Sequence, residues 1–140
     1  MTKVVLDTVV FVRGLINPYS IWGKILVDYS KQYNLVVSPQ VVTEYLEVLY
    51  RPEVARKYRT IADRDVSEIL KMLERAESVI PDTVEKVCRD PEDDIFIATA
   101  KLSGADVIVT EDNDLLILGV HEGIGLVSAR TFIRHWINTA

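Results

Sequence analysis

Short apolar runs alternate along this chain with stretches of helical period, and that alternation is the main signal of its architecture. Residues 3–6, 35–37, 106–109 and 124–127 are apolar runs of strand length. Between them the apolar positions fall on helical stripes. Residues 20–32 carry Ile21, Ile25 and Leu26 at helical spacing. Ser38-Pro39 is a helix start, with Ser as the cap and Pro at the first helical position. The helix it opens places Val41, Val42, Tyr45, Leu46 and Leu49 on one stripe and stops near Arg51-Pro52. A short helix is expected over 53–58, and a longer one over 63–77 with Val66, Ile69, Leu70 and Leu73 inward. Residues 78–80 read as a short strand ended by Pro81. Asp90-Pro91 opens a helix that runs to Ser103 and ends at Gly104. Leu115 to Leu118 reads as a helical turn, and Ser128 caps a terminal helix with Phe132, Ile133, Trp136 and Ile137 inward. Strand alternating with helix predicts an α/β fold, a parallel central sheet flanked by helices in three layers (α/β/α). No repeat, low-complexity segment or linker divides the 140 residues, so one domain spanning 1–140 is expected.

Composition adds bounds. The 49% hydrophobic content belongs to a folded globule. The single cysteine, Cys88, excludes an internal disulfide and suits a reducing compartment. Met1-Thr2-Lys3 leads straight into a strand-length run instead of a signal-peptide core, and no apolar stretch approaches the length that spans a bilayer. A cytoplasmic protein without membrane association is the expectation. The net charge of −5 argues, by itself, against a nucleic-acid partner. Its distribution qualifies that argument. From Arg51 to Arg64 five basic residues (Arg51, Arg56, Lys57, Arg59, Arg64) face two acids, for a local charge of +3. From Asp82 to Asp94 six acids face two bases, for −4. The basic run reads either as a solvated helical turn or as a phosphate-contacting surface.

Candidate chemistry rests on carboxylates. Asp7 directly follows the first strand, and Asp112 and Asp114 follow the run that ends in Val109-Thr110. Open parallel sheets place ligands at the carboxyl ends of their strands, so acids at two strand exits face one crevice. Carboxylates crowded together repel and raise one another's pKa, and the usual compensation is a divalent metal. An aspartate after a strand also starts turns and caps helices, which is the bland reading of Asp7 and of the Asp112 turn. Asp112 ranks ahead of Asp114, and the Thr110 hydroxyl is placed to donate to a carboxylate or a bound water. Glu44 lies about 130° round its helix from the centre of the apolar stripe, at ~100° per residue, and is uninformative alone. Asp90, Glu92, Asp93 and Asp94 all sit where a helix dipole favours acids. Asp93 heads the stripe of Phe96, Ile97 and Ala100, whereas Asp94 shares a face with Lys101 and is expected in water, with Asp90 as the cap. A carboxylate heading a buried stripe needs a partner, so Asp93 is the functional candidate.

Other chemistries find less support. His121 and His135 have no zinc spacing with lone Cys88, and no Gly-rich phosphate loop follows the first strand. An aspartyl-phosphate enzyme usually carries a second acid two residues after the first, where this chain has Val9.

With these residues in place, the chain resembles the PIN-domain nucleases, and in particular the VapC-like toxins of toxin–antitoxin pairs. The carriers are Val-Leu-Asp7-Thr-Val-Val-Phe-Val, Val-Thr-Glu44-Tyr-Leu-Glu-Val-Leu, Asp-Pro-Glu-Asp93-Asp-Ile-Phe-Ile-Ala-Thr-Ala and Gly-Ala-Asp-Val-Ile-Val-Thr110-Glu-Asp112-Asn-Asp114-Leu-Leu. The resemblance covers essentially the whole chain, and its specificity lies in the order and spacing of these pieces. It implies an endoribonuclease with Asp7, Glu44, Asp93 and Asp112 as catalytic acids. Asp7, Asp93, Asp112 and Asp114 would then hold Mg²⁺ or Mn²⁺, with Thr110 supporting them. RNA is the implied substrate, a small antitoxin protein the implied partner, and a homodimer the implied assembly. Arg51, Arg56, Lys57 and Arg59, with Tyr50 and Tyr58 for stacking, would form an RNA track. One position departs from the family, which usually has Asn or Ser where this chain has Val9. Two other readings stay open: a different metal-dependent phosphohydrolase, or a catalytically impaired PIN-like module that binds RNA or protein.

Overall fold

The structure, a computed structural model, describes residues 1–58 and 63–139, and only the backbone of 57, 58, 63–66, 68 and 69. Arg59 and the side chains of Lys57, Tyr58, Arg64, Val66 and Ile69, all singled out by the sequence, lie outside the described residues. The chain runs β1 (Thr2–Leu6), α1 (Thr8–Ile16), α2 (Ile21–Leu26), a 3-10 turn (Ser30–Gln32), β2 (Tyr33–Val37), α3 (Pro39–Leu49), α4 (Pro52–Tyr58), α5 (Asp63–Arg75) and β3 (Glu77–Ser78). It continues through a 3-10 turn (Pro91–Asp93), α6 (Asp94–Ser103), β4 (Val107–Val109), α7 (Asn113–Leu116), β5 (Val120–His121), β6 (Ile124–Val127) and α8 (Ala129–Trp136).

The strands lie in the order β3-β2-β1-β4-β6-β5, parallel throughout except for β5 against β6. The fold is thus α/β, with a mostly parallel sheet flanked by helices. From β1 the chain builds outward through β2 to β3, then returns to lay β4 on the other side of β1. The strand order reverses between β1 and β4, and in open α/β sheets the ligand crevice sits outside the carboxyl ends of the strands at that point. Val4, Val5 and Leu6 of β1 and Val107, Ile108 and Val109 of β4 are fully buried, as central parallel strands covered on both faces must be.

Local signals explain most boundaries. The Ser38 hydroxyl accepts from the Val41 amide at 3.2 Å, so it caps α3 as its sequence predicts. Gly104 ends α6 at φ +70°, a left-handed conformation that costs glycine little. α1 and α2 approach closely at Gly14, where an added Cβ would stand 2.9 Å from the Trp22 carbonyl oxygen.

Several expectations change. The helix expected over 20–32 is shorter, giving way after Leu26 to the separate 3-10 turn at Ser30–Gln32. α1 and β5, which pairs antiparallel with the expected strand at 124–127, are elements that the sequence pattern does not announce. Leu46, Leu70 and Trp136 are exposed instead of inward, at 42%, 55% and 38%, because helical period fixes a stripe but not how far the neighbouring layer extends over it.

Candidate active site

β1 and β4 pair with Leu6 opposite Val109, so Asp7 and Thr110 emerge side by side at the carboxyl ends of the two central strands. The Asp7 amide donates to the Val109 carbonyl at 2.9 Å, continuing the ladder by one residue. The Thr110 hydroxyl donates to Asp7 Oδ2 at 2.7 Å and accepts from the Asp112 amide at 2.9 Å. One buried hydroxyl therefore orients the carboxylate after β1 and the turn after β4 together. Asp112 Oδ1 in turn accepts from the Asp114 amide at 2.9 Å and caps α7.

Asp93 arrives from the other direction, at the end of the 3-10 turn that leads into α6. Asp90 caps that turn, its Oδ1 accepting from the Glu92 amide at 3.0 Å. Phe96, Ile97 and Ala100 are buried along the stripe that Asp93 heads. The Thr99 hydroxyl donates to Ser38 Oγ at 2.9 Å, fixing α6 to the start of α3. α3 is held a second time by Tyr45, whose hydroxyl donates to the Leu6 carbonyl and whose ring stacks on Phe11 at 4.2 Å. Glu44 is its neighbour in sequence and half-buried. Burial, then the charges of Asp7 and Glu92, push the Glu44 carboxyl up to about 7.

Carboxylate oxygens of Asp93, Asp112 and Asp114 lie within 4.8 Å of one another. Asp93 Oδ2 is buried with no hydrogen-bond donor. Burial, followed by the adjacent Asp112, holds the Asp93 carboxyl well above the usual carboxylate range. Asp7 is raised too, by burial and more weakly by Asp112, against the opposing pull of the Thr110 hydroxyl and the amides of Thr8 and Val9. Three clustered carboxylate oxygens, one of them from buried Asp93 whose Oδ2 lacks a donor, with no sulfur or nitrogen ligand among them, fit a hard divalent cation such as Mg²⁺ or Mn²⁺. Asp7 flanks this trio through Thr110, and Glu44 on α3 is close enough to feel the charge of Asp7.

Arg51 and Arg56 are exposed, and Tyr50 beside them is 78% exposed. Their segment, the end of α3 and α4, packs against α3 and α1, the helices that bear Glu44 and follow Asp7. Arg89 carries no signal in the sequence, because it stands in a mixed-charge loop without a pattern. Its exposed guanidinium lies 3.7 Å from Asp114 Oδ1 and is a cation at the edge of the acidic crevice. Glu111 likewise reads as mere turn polarity. Its Oε1 accepts from the Ala129 amide at 2.8 Å and from Trp22 Nε1 at 3.3 Å, which anchors α8 and α2 beside the site.

Asp94 corrects the sequence reading. It is 4% exposed instead of solvated, and its Oδ1 accepts from the amides of Val87 at 3.0 Å and Cys88 at 2.6 Å. The segment before α6 folds back over the face that helical period alone leaves open. These amides hold the Asp94 carboxyl below its usual range against the effect of its burial. Asp94→Ala leaves two amides without their acceptor and is expected to destabilise the protein by about 1–3 kcal/mol, read from urea unfolding. A loss below about 0.5 kcal/mol, the scale of ordinary surface changes, would show that the loop does not depend on this anchor.

The model of a family described as PIN domain matches residues 3–114. An uncharacterized protein of Methanocaldococcus jannaschii is 40% identical over 121 residues, covering 83% of this chain and 74% of that protein. Among solved structures, VapBC2 from Rickettsia felis bound to a DNA fragment from their promoter aligns with a TM-score of 0.55 at 13% identity, over 89% of this chain and 97% of that one. PAE2754 from Pyrobaculum aerophilum aligns with a TM-score of 0.55 at 18% identity, over 95% of this chain and 88% of that one.

Proposed function

Because the chain belongs to the PIN-domain family, whose members are generally nucleases, we propose that it is a divalent-metal-dependent endoribonuclease acting as the toxin of a toxin–antitoxin pair. The observation that carries the metal-dependent reading is the buried Asp93 carboxylate, whose Oδ2 lacks a donor, clustered with those of Asp112 and Asp114. Asp93, Asp112 and Asp114 would hold Mg²⁺ or Mn²⁺, with Asp7 alongside. When bound, the cation supplies Lewis acidity that lowers the pKa of water and neutralises charge on the scissile phosphate. Thr110 keeps the Asp7 carboxylate turned into the crevice, and Asp112 is fixed through its own amide. Glu44 is the group at the crevice edge available to take up a proton. Arg89 offers a guanidinium to a phosphate oxygen once it leaves Asp114. Arg51 and Arg56, with the Tyr50 ring, provide the backbone contacts and stacking that a chain of net charge −5 must otherwise lack.

VapBC2 was solved bound to a DNA fragment from its promoter, and its likeness in fold supports a small antitoxin partner here. Among the described residues no helix is long and apolar enough to cross a membrane. A homodimer is part of this reading.

RNA cleavage by pure protein is expected to vanish in EDTA and return with Mg²⁺ or Mn²⁺. Undiminished cleavage in chelator would remove the metal from the mechanism. Hydrolysis of a small phosphomonoester without RNA cleavage would favour a different phosphohydrolase, and inactivity on both substrates a binding module.

A further inference from the structure

At the opposite end of the sheet from the carboxylates, a groove of about 850 Å³ opens where β1, β2 and β3 begin. Met1, 76% exposed, Val27, 45% exposed, and the half-buried Pro18 and Met72 give it accessible apolar surface, over a floor formed by the core residues Leu26 and Leu35. Its rim carries Lys31, Lys71 and Arg75, all exposed and none paired with an acid among the described residues. Glu77, the one acid of the lining among the described residues, is already paired with Lys3 at 3.1 Å. Three exposed cations, unpaired among the described residues, thus ring a partly apolar groove in a chain of net charge −5.

We propose that this groove docks an acidic, amphipathic peptide segment of a partner protein, away from the carboxylate crevice. Aliphatic side chains of the segment enter between α1, α2 and α5, while Asp or Glu on its flanks meet Lys31, Lys71 and Arg75. Charge alone would also suit an RNA strand, but among the described residues the lining offers it no stacking platform. Tyr33, the one aromatic residue among them, is 3% exposed and donates its hydroxyl to the Ile25 carbonyl at 2.8 Å. The inference stands whether or not the distant crevice is catalytic.

The test is to pan a phage-displayed random peptide library on the full chain and measure the enriched peptides by fluorescence anisotropy. Enriched peptides are expected to intersperse aliphatic residues with Asp and Glu and to weaken as salt rises. They should bind the triple variant Lys31→Glu, Lys71→Glu, Arg75→Glu at least about tenfold more weakly. Val27→Asp should weaken them independently, and Asp93→Asn should leave them unchanged. Equal thermal melts establish that each variant folds, and Arg75→Glu alone replaces the triple variant if that one does not. Failure to enrich, peptides without acidic residues, or undiminished binding to the folded variants would overturn the proposal. So would displacement of the peptides by an oligoribonucleotide, or self-association of the protein that the same reversals abolish.

Discussion

Asp93→Asn is expected to raise the melting temperature of the metal-free protein while reducing cleavage by more than about 100-fold, beyond what loss of a merely supporting residue costs. Both effects follow from one arrangement. Asp93 is 7% exposed, its Oδ2 has no donor, and Asp112 lies against it. Without a cation, burial and the like charge of Asp112 make the fold hold Asp93 protonated at neutral pH, against its ordinary tendency to ionise. The amide that the substitution introduces needs no such proton and supplies a donor that Asp112 can accept. A gain of about 1 kcal/mol would move the midpoint of a domain this size by roughly 3–6 °C. The same logic fixes the pH dependence. Asp93, Glu44 and Asp7 all have carboxyls raised in the folded state, so the folded protein binds more protons than the unfolded chain above the ordinary carboxylate range. Stability in EDTA therefore falls as pH rises from that range through about 7, where Glu44 ionises, and beyond as Asp93 does. Asp93→Asn should flatten that slope, and added Mg²⁺ should stabilise the variant less than the parent. Exposed Asp82→Asn is the control for a change of net charge alone. Were Asp93 only a complement to the helix dipole, its substitution would instead destabilise by about 0.3–1 kcal/mol and leave cleavage intact.

What the sequence disclosed, and what it concealed, follows from how local each signal is. Ser38-Pro39 and Ser103-Gly104 fix helix ends through their own backbones, so those boundaries are readable without tertiary context. The buried stripe below Asp93 is equally local, and it separates that residue from Asp90 and Glu92. Asp94 defeats the same reasoning because its environment is made by Val87 and Cys88, a segment with no period of its own. α1 escapes notice for a related reason. Thr8, Val10, Phe11, Val12, Gly14 and Leu15 are all buried, and its outer side pairs Arg13 with the apolar Val9 and Ile16, so apolar positions surround the helix and mark no stripe, while its valines favour a strand reading. Glu44 carries no signal of its own either. Its place depends on the neighbouring Tyr45 reaching the end of β1, a contact 39 residues away in sequence.

Val9→Asn is expected to strengthen metal binding and cleavage by roughly 10- to 100-fold, the range that a polar group supporting a metal ligand contributes. The resemblance to PIN nucleases places Asn or Ser at this position. Here the side chain is an aliphatic one, 39% exposed in the first turn of α1, two residues after Asp7. Such a site releases little packing energy when made polar, so stability should change by less than about 0.5 kcal/mol. Among side chains, Thr110 is the donor that holds the Asp7 carboxylate, beside the pull of the Thr8 and Val9 amides. A second polar group two residues later would share the work of orienting the carboxylate or an associated water. Initial rates on RNA across a Mg²⁺ titration, with the Mg²⁺-dependent rise in melting temperature measured in parallel, separate affinity from turnover. An inactive parent with an active Val9→Asn variant would identify the natural chain as a binding module built on an impaired nuclease. An active parent that the substitution leaves unchanged in both measurements would show that Thr110 alone suffices to support Asp7.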